Sequence, residues 1–142
     1  MKLKSYTLVE LMVVVVIITI IAGIAIPLYT QSTQETKDRL ARNALKVVFT
    51  GLMSYRLEHG HFLKLADADS NGVADNPALW QDLRLDDPSA VQASLGYGFW
   101  VDSPENFSVT NFTAYATRFK DNKRYSVDET GTLTGETGLP TD

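Results

Sequence analysis

A long apolar run near the N-terminus constrains this chain more than any other feature. Residues 6–26 span 21 positions, of which Glu10 is the one charged residue, and Lys2 and Lys4 precede them. As an α-helix this run would measure about 31 Å, close to the hydrocarbon thickness of a bilayer. Because a carboxylate in hydrocarbon is costly, Glu10 requires a partner or a function.

The composition limits what the rest of the chain can be. With 142 residues, the chain has room for one membrane-length helix and one modest globular domain. The formal net charge of −4, with no Lys/Arg cluster standing clear of acids, argues against general nucleic-acid binding. Because there is no cysteine, an extracytoplasmic domain would need its core, a partner or a metal for stability.

The basic residues before the apolar run predict its orientation. Positive residues stay cytoplasmic, so the segment should run N-in and C-out, with the remainder of the chain outside the cytoplasm. A plain membrane anchor leaves Glu10 unexplained. A secretory signal peptide, cleaved near Gly23-Ile24-Ala25, would need a shorter apolar core, since such cores run about 7–15 residues.

The stretch 5–12, SYTLVELM, and the apolar residues that lead to Pro27 resemble the N-terminus of type IV pilins and pseudopilins. In that family a peptidase cuts before the apolar run and leaves an aromatic first residue, an acid as the fifth and a proline as the twenty-second. Counted from Tyr6, the fifth residue is Glu10 and the twenty-second is Pro27. The resemblance implies cleavage between Ser5 and Tyr6 and N-methylation of Tyr6, with Ser5 in the place where the family usually has glycine.

The resemblance also implies how the chain assembles. Cleavage would free an ammonium on Tyr6, and the Glu10 carboxylate of another subunit could pair with it in the core of a filament. The expected function is a structural subunit of a type IV pilus, not an enzyme. Its expected partners are other copies of the chain, a prepilin peptidase, the assembly machinery and the inner membrane, with no direct nucleic-acid partner. After assembly it would lie in an extracellular or periplasmic filament.

Two alternatives to a pilus subunit stay open. One is a pseudopilin of a type II secretion-like system, which would share the same N-terminal segment. The other is a monomeric, membrane-anchored binding module outside the cytoplasm. A chain that begins at a methylated Tyr6 would favour a filament subunit, whereas retention of residues 1–5 would favour the anchored module.

The expected fold class is α+β, with a long N-terminal helix packed on a small antiparallel sheet, as in pilins. We predict a leader at 1–5, a transmembrane or filament-core helix at 6–27 bent at Pro27, an amphipathic second half at 28–60, and a globular head at 61–142. Apolar residues at spacings of three and four mark the amphipathic half, and Gly60 is expected to end it. These apolar residues are Ala41, Leu45, Val48, Leu52 and Tyr55.

Strand-like segments occupy the C-terminal third of the chain. Turn signals rich in Gly, Asn, Asp and Pro separate them, which favours an antiparallel sheet of three or four strands. A helical turn is predicted before them at 76–83, where Pro77 suits a helix start. The predicted strands are 97–101, 107–117, 124–128 and 132–134.

The stretch 67–75, DADSNGVAD, resembles a calcium-binding loop. Oxygen ligands at positions one, three, five and nine, a backbone carbonyl at seven and a glycine at six fit calcium coordination. The twelfth position, usually Glu, is Ala78. The alternative is a solvated acidic loop in which Asn-Gly makes a turn. The predicted calcium ligands are Asp67, Asp69, Asn71, Val73 and Asp75, with Asp82, Asp86 or Asp87 as a substitute for the missing Glu.

Overall fold

The fold was determined from a computed structural model, which describes residues 7–91, 93–103 and 111–136. The chain divides into two compact units, 1–37 and 38–142. The α+β class predicted from the sequence is confirmed. The elements in chain order are α1 (Leu8–His59), a 3-10 helix (Pro77–Leu83), α2 (Pro88–Val91), a second 3-10 helix (Ala93–Leu95), β1 (Tyr97–Asp102), β2 (Thr113–Arg118), β3 (Arg124–Asp128) and β4 (Leu133–Glu136).

Helix α1 is continuous from Leu8 to His59 and contains Pro27. Because proline has no N–H, the carbonyl of Gly23 has no helical donor four residues later. The helix ends where predicted: Gly60 has a φ of +81°, a left-handed conformation that glycine adopts without a steric penalty. The Gly60 N–H donates to the Arg56 carbonyl at 2.7 Å.

The four strands form one antiparallel sheet in the order β1-β2-β3-β4. Each strand therefore pairs with its sequence neighbour, as expected from short turns. The prediction for β2 extended too far toward the N-terminus, because Asn111 and Phe112 are not in a strand. The part of that prediction at 107–110 lies outside the described residues. On one face of the sheet, Trp100 stacks on Tyr115 with ring centroids 4.2 Å apart.

The opposite face of the sheet packs on the part of α1 that belongs to unit 38–142. Helical residues spaced three and four apart turn inward, as their pattern predicted. They meet alternating inward side chains of the strands and apolar residues of the connection. The buried core comprises Ala41, Ala44, Leu45, Val48, Leu52, Phe62, Leu65, Ala74, Trp80, Leu83, Tyr97, Phe99, Val101, Phe112, Ala114, Ala116, Tyr125 and Val127.

The connection after α1 lies along β1. Leu65 and Val101 exchange two backbone hydrogen bonds, of 3.1 and 2.9 Å, and the Ala74 N–H donates to the Phe99 carbonyl at 3.0 Å. Between these anchors the loop crosses Gly98. A Cβ at Gly98 would lie 2.1 Å from the Gly72 carbonyl oxygen, so only glycine allows this close approach.

We therefore expect Gly98→Ala to destabilise unit 38–142 by about 1–3 kcal/mol, since the added methyl group must displace backbone. Gly135→Ala is the matched control, because a Cβ there would meet Tyr125 at an ordinary 3.4 Å. Thermal unfolding of the detergent-solubilised full chain, followed by circular dichroism, measures both variants. Equal melting temperatures for Gly98→Ala and the control would contradict the close approach.

Candidate functional site

The N-terminal part of α1 presents an apolar surface. Its large apolar side chains between positions 8 and 29 are 51–76 % exposed, and by length and composition the helix can cross a membrane. The Thr19 hydroxyl within this segment donates to the Val15 carbonyl at 2.8 Å, which satisfies it inside the helix. A surface of this kind requires a lipid or protein environment.

Glu10 lies in the first turn of α1, where it has a local role that the sequence analysis missed. The Glu10 N–H donates to the Thr7 hydroxyl at 3.3 Å, and the Thr7 N–H donates to the Glu10 carboxylate at 3.4 Å. This reciprocal arrangement is a capping box, whose signature is Thr-x-x-Glu. The carboxylate also lies at the positive end of the helix dipole. Glu10 therefore helps to begin the helix.

The residues predicted to be processed directly precede Thr7 in the sequence. Ser5 and Tyr6 are outside the described residues, so cleavage between them and methylation of Tyr6 stay predictions. Pro27 lies within α1, and its carbonyl accepts a hydrogen bond from the Thr30 hydroxyl at 2.9 Å. The helix is continuous at Pro27 in the single chain.

A buried carboxylate connects α1 to the sheet inside unit 38–142. Asp38 Oδ1 accepts hydrogen bonds from the Tyr97 hydroxyl at 2.7 Å and from Arg118 Nη1 at 3.2 Å. Asp38 Oδ2 accepts one from the Tyr125 hydroxyl at 2.9 Å and lies 3.6 Å from Lys123 Nζ. These partners belong to β1, β2, β3 and the turn before β3. No local sequence pattern predicts this role for Asp38.

The groups around Asp38 keep the protons that they donate to its carboxylate. Burial, together with the hydrogen bond to Asp38, raises the pKa of Tyr97, so its hydroxyl stays a donor. The hydrogen bond to Asp121 raises the pKa of Arg118 and lowers the pKa of Asp121. Arg118 thus bridges Asp38 and Asp121 and remains a cation.

We expect Asp38→Ala to destabilise the protein by about 1–3 kcal/mol for each of the Tyr97 and Tyr125 hydroxyls that lose their acceptor, whereas Arg118 keeps Asp121 as a partner. Tyr97→Phe, which removes one hydrogen bond to a charged group, should cost about 1.5–3 kcal/mol. Asp82→Ala removes an exposed carboxylate and serves as the control. Thermal unfolding of the full chain in detergent gives the comparison, and a loss for Asp38→Ala no larger than the control's would contradict the role of Asp38.

The loop predicted to bind calcium brings three carboxylates together. One oxygen from each of Asp67, Asp69 and Asp75 lies within 4.8 Å of the others. Asp67 accepts hydrogen bonds from the Asn71 and Gly72 N–H groups, both at 2.9 Å. These bonds turn the chain around Asp67, and the Gly72 φ of +85° is what the sixth position of a calcium loop requires.

The electrostatics of this loop reflect the clustering of acids. Burial, reinforced by the adjacent Asp69 carboxylate, raises the pKa of Asp67 above its usual range. None of the three aspartates forms an ion pair with a cation of the described chain. The Asn71 side-chain oxygen accepts a hydrogen bond from the Val73 N–H at 2.8 Å. Asp82, Asp86 and Asp87 are not part of the cluster in the residues described.

Comparisons with known proteins agree with the character of the N-terminal segment. Residues 2–26 match the prokaryotic N-terminal methylation motif. The chain is also similar to the fimbrial protein EcpB of Eikenella corrodens, with 37 % identity over 90 residues, which cover 59 % of this chain and 52 % of that protein. The chain thus spans about half the length of this curated relative. No solved structure is significantly similar to the chain.

Proposed function

We propose that this chain, whose two matches support the type IV pilin family, is a structural subunit of a type IV pilus. The observation that carries the proposal is a carboxylate, Glu10, in an exposed apolar helix that bears the N-terminal methylation motif. The similarity to a fimbrial protein favours a pilus subunit over a secretion pseudopilin or a monomeric binding module. The chain acts by assembly, not by catalysis.

The proposed life of the subunit begins in the inner membrane. The apolar half of α1 spans the bilayer, with the N-terminus in the cytoplasm and residues 38–142 outside. A prepilin peptidase cuts between Ser5 and Tyr6, Tyr6 is N-methylated, and the assembly machinery adds the subunit to an extracellular or periplasmic filament. The exposed apolar surface then exchanges lipid for the helices of neighbouring copies.

The charge on Glu10 directs this exchange. In the described part of the chain, Glu10 forms no ion pair, and its local partner is a neutral backbone N–H. In a filament core the ammonium of Tyr6 from another subunit would neutralise it. Because an unpaired buried charge costs about 3–5 kcal/mol, this pair would discriminate between correct and incorrect axial alignment of subunits.

Two variants separate the capping role of Glu10 from its charge. Glu10→Gln keeps a side chain that can complete a capping box but removes the charge, so we expect membrane insertion and cleavage with filament yield reduced about 10-fold or more. Thr7→Ala removes the cap hydroxyl but keeps the carboxylate, so filaments should form. Filaments sheared from cells and quantified by immunoblot give the yield.

The outcome of this comparison is decisive for charge pairing. Normal filament yield from Glu10→Gln, with loss of yield from Thr7→Ala, would leave helix capping as the role of Glu10 and refute the pair.

Intact-mass spectrometry of the wild-type subunit tests the preceding step, which is cleavage and methylation. A mature chain that begins at methylated Tyr6 supports processing, whereas retained residues 1–5 in filaments would refute it.

We also propose that residues 67–75 bind calcium. The donor set consists of carboxylate, amide and carbonyl oxygens, the ligands that calcium prefers. Asp67, Asp69 and Asp75 are already clustered without a compensating cation among the described residues, so a divalent ion would relieve their repulsion. Asn71 and the Val73 carbonyl would complete the set. The ion would fasten the loop that lies along β1.

Calcium should raise the melting temperature of the full chain. Binding to the folded state alone stabilises it by about 2.7 kcal/mol at free calcium 100-fold above Kd, and extracellular sites commonly have Kd values of roughly 0.1–1 mM. Asp69→Asn should abolish the increase, whereas Asp82→Asn, outside the cluster, should retain it. A melting temperature that calcium leaves unchanged, or that magnesium raises equally, would contradict a calcium site.

A further inference from the structure

A basic groove lies between α1 and β4 within unit 38–142. It has a volume of about 270 Å³ and is lined by Arg39, Arg42, Asn43, Lys46 and Leu133. Its three cations are spaced three and four residues apart, so they share one face of the helix. In the sequence Asp38 directly precedes the first of these cations, but it does not line the groove.

The groove is positive because the carboxylate of Asp38, the one acid between Lys37 and Lys46, does not face it. Asp38 lies next to Arg39 in the chain, but its carboxylate is buried against Tyr97 and Arg118. Arg42 donates only to the backbone carbonyl of Asp38, at 3.3 Å, among the hydrogen bonds of the described residues. Among the described residues, none of the groove's three cations forms an ion pair. The Arg42 guanidinium lies over the Tyr125 ring, 5.3 Å from its centroid. Arg39 and Lys46 are exposed, and their charges are open to a partner.

The acidic loop 67–75 lies at the opposite edge of the sheet from the groove. Strands β1 and β4 are the two edge strands of the sheet. The loop is fixed along β1 by the Leu65–Val101 and Ala74–Phe99 hydrogen bonds, whereas Leu133 of β4 lines the groove. Opposite charges therefore occupy opposite edges of a four-stranded sheet, which three strand spacings of about 4.8 Å separate by roughly 14 Å, well beyond the length of an ion pair. Two copies side by side can pair them.

We infer that the basic groove of one subunit receives the acidic loop 67–75 of the next subunit in the filament. A contact between two different surfaces of the same chain is heterologous, and it continues into an open polymer when it does not close into a ring. The partner is a second copy, because the chain itself carries the complementary charge and has a net charge of −4. This inference rests on the proposed pilus function.

Cross-linking tests this contact without altering any charge. The chain has no native cysteine, so Asn43→Cys in the groove and Ala68→Cys in the loop introduce the two thiols. Both positions are exposed. A short bis-maleimide added to filaments of the double variant should give a ladder of covalent oligomers. The control pair combines Asn43→Cys with Leu57→Cys. Leu57 is 88 % exposed and does not line the groove.

Charge reversal provides a second, independent measurement. Lys46→Glu and Asp69→Lys should each lower filament yield, by about 10-fold, because like charges then face each other. The double variant restores opposite charges and should recover the yield. Lys120→Glu, at an exposed cation that does not line the groove, should have little effect. The yields are measured with a calcium chelator, because calcium bound by Asp67, Asp69 and Asp75 would occupy the carboxylates that the groove is proposed to contact.

The results separate this contact from the proposed function. If the wild type forms no filaments, the pilus proposal fails and the contact falls with it. If the wild type forms filaments but the ladder equals the control's, or the double variant is no better than the single variants, the contact alone is refuted. Loss of DNA binding by Lys46→Glu with unchanged filament yield would also refute it and would make the groove a nucleic-acid site.

Discussion

The fold of unit 38–142 depends on the buried carboxylate of Asp38. Apolar packing between helix α1 and the sheet is non-directional and tolerates small shifts, whereas a carboxylate removed from water must find hydrogen-bond donors at defined positions. Tyr97 of β1, Arg118 of β2 and Tyr125 of β3 supply these donors. A shift of the helix or of any one of these strands would leave a buried charge unsatisfied. One side chain therefore fixes the alignment of four elements.

The same side chain determines the charge of the surface outside the core. Residues 37–46, KDRLARNALK, contain one acid among four cations, and in an exposed helix Asp38 would partly neutralise Arg39 and Arg42. Because Asp38 is drawn inward by the tyrosines and Arg118, the outward face of this turn keeps its positive charge. The interior hydrogen-bond network and the positive charge of the exterior groove thus both follow from the burial of the Asp38 carboxylate.

Sequence periodicity predicted the elements better than the contacts between them. The spacing of Ala41, Leu45, Val48 and Leu52 identified the inward face of α1, and turn residues located the strands, because both signals are local. Asp38 resembled an ordinary surface charge, and its partners Tyr97 and Tyr125 lie 59 and 87 positions away. The approach of Gly72 to Gly98 is equally non-local. The capping box at Thr7 and Glu10 was accessible in principle, since Thr-x-x-Glu is a local signature.

Asp38 and Glu10 show two ways in which one helix can carry an acid in apolar surroundings. Asp38 receives its cation, Arg118, from its own chain, so its burial is complete when the unit folds. Glu10 receives a backbone amide through the capping box, which orients the carboxylate but leaves its charge. Since the surrounding side chains are apolar and exposed, burying that helix face makes the charge costly unless a cation arrives with it. The proposed pairing with the Tyr6 amine of a neighbouring subunit would meet this demand, and it would couple the burial of the apolar helix to correct pairing between subunits.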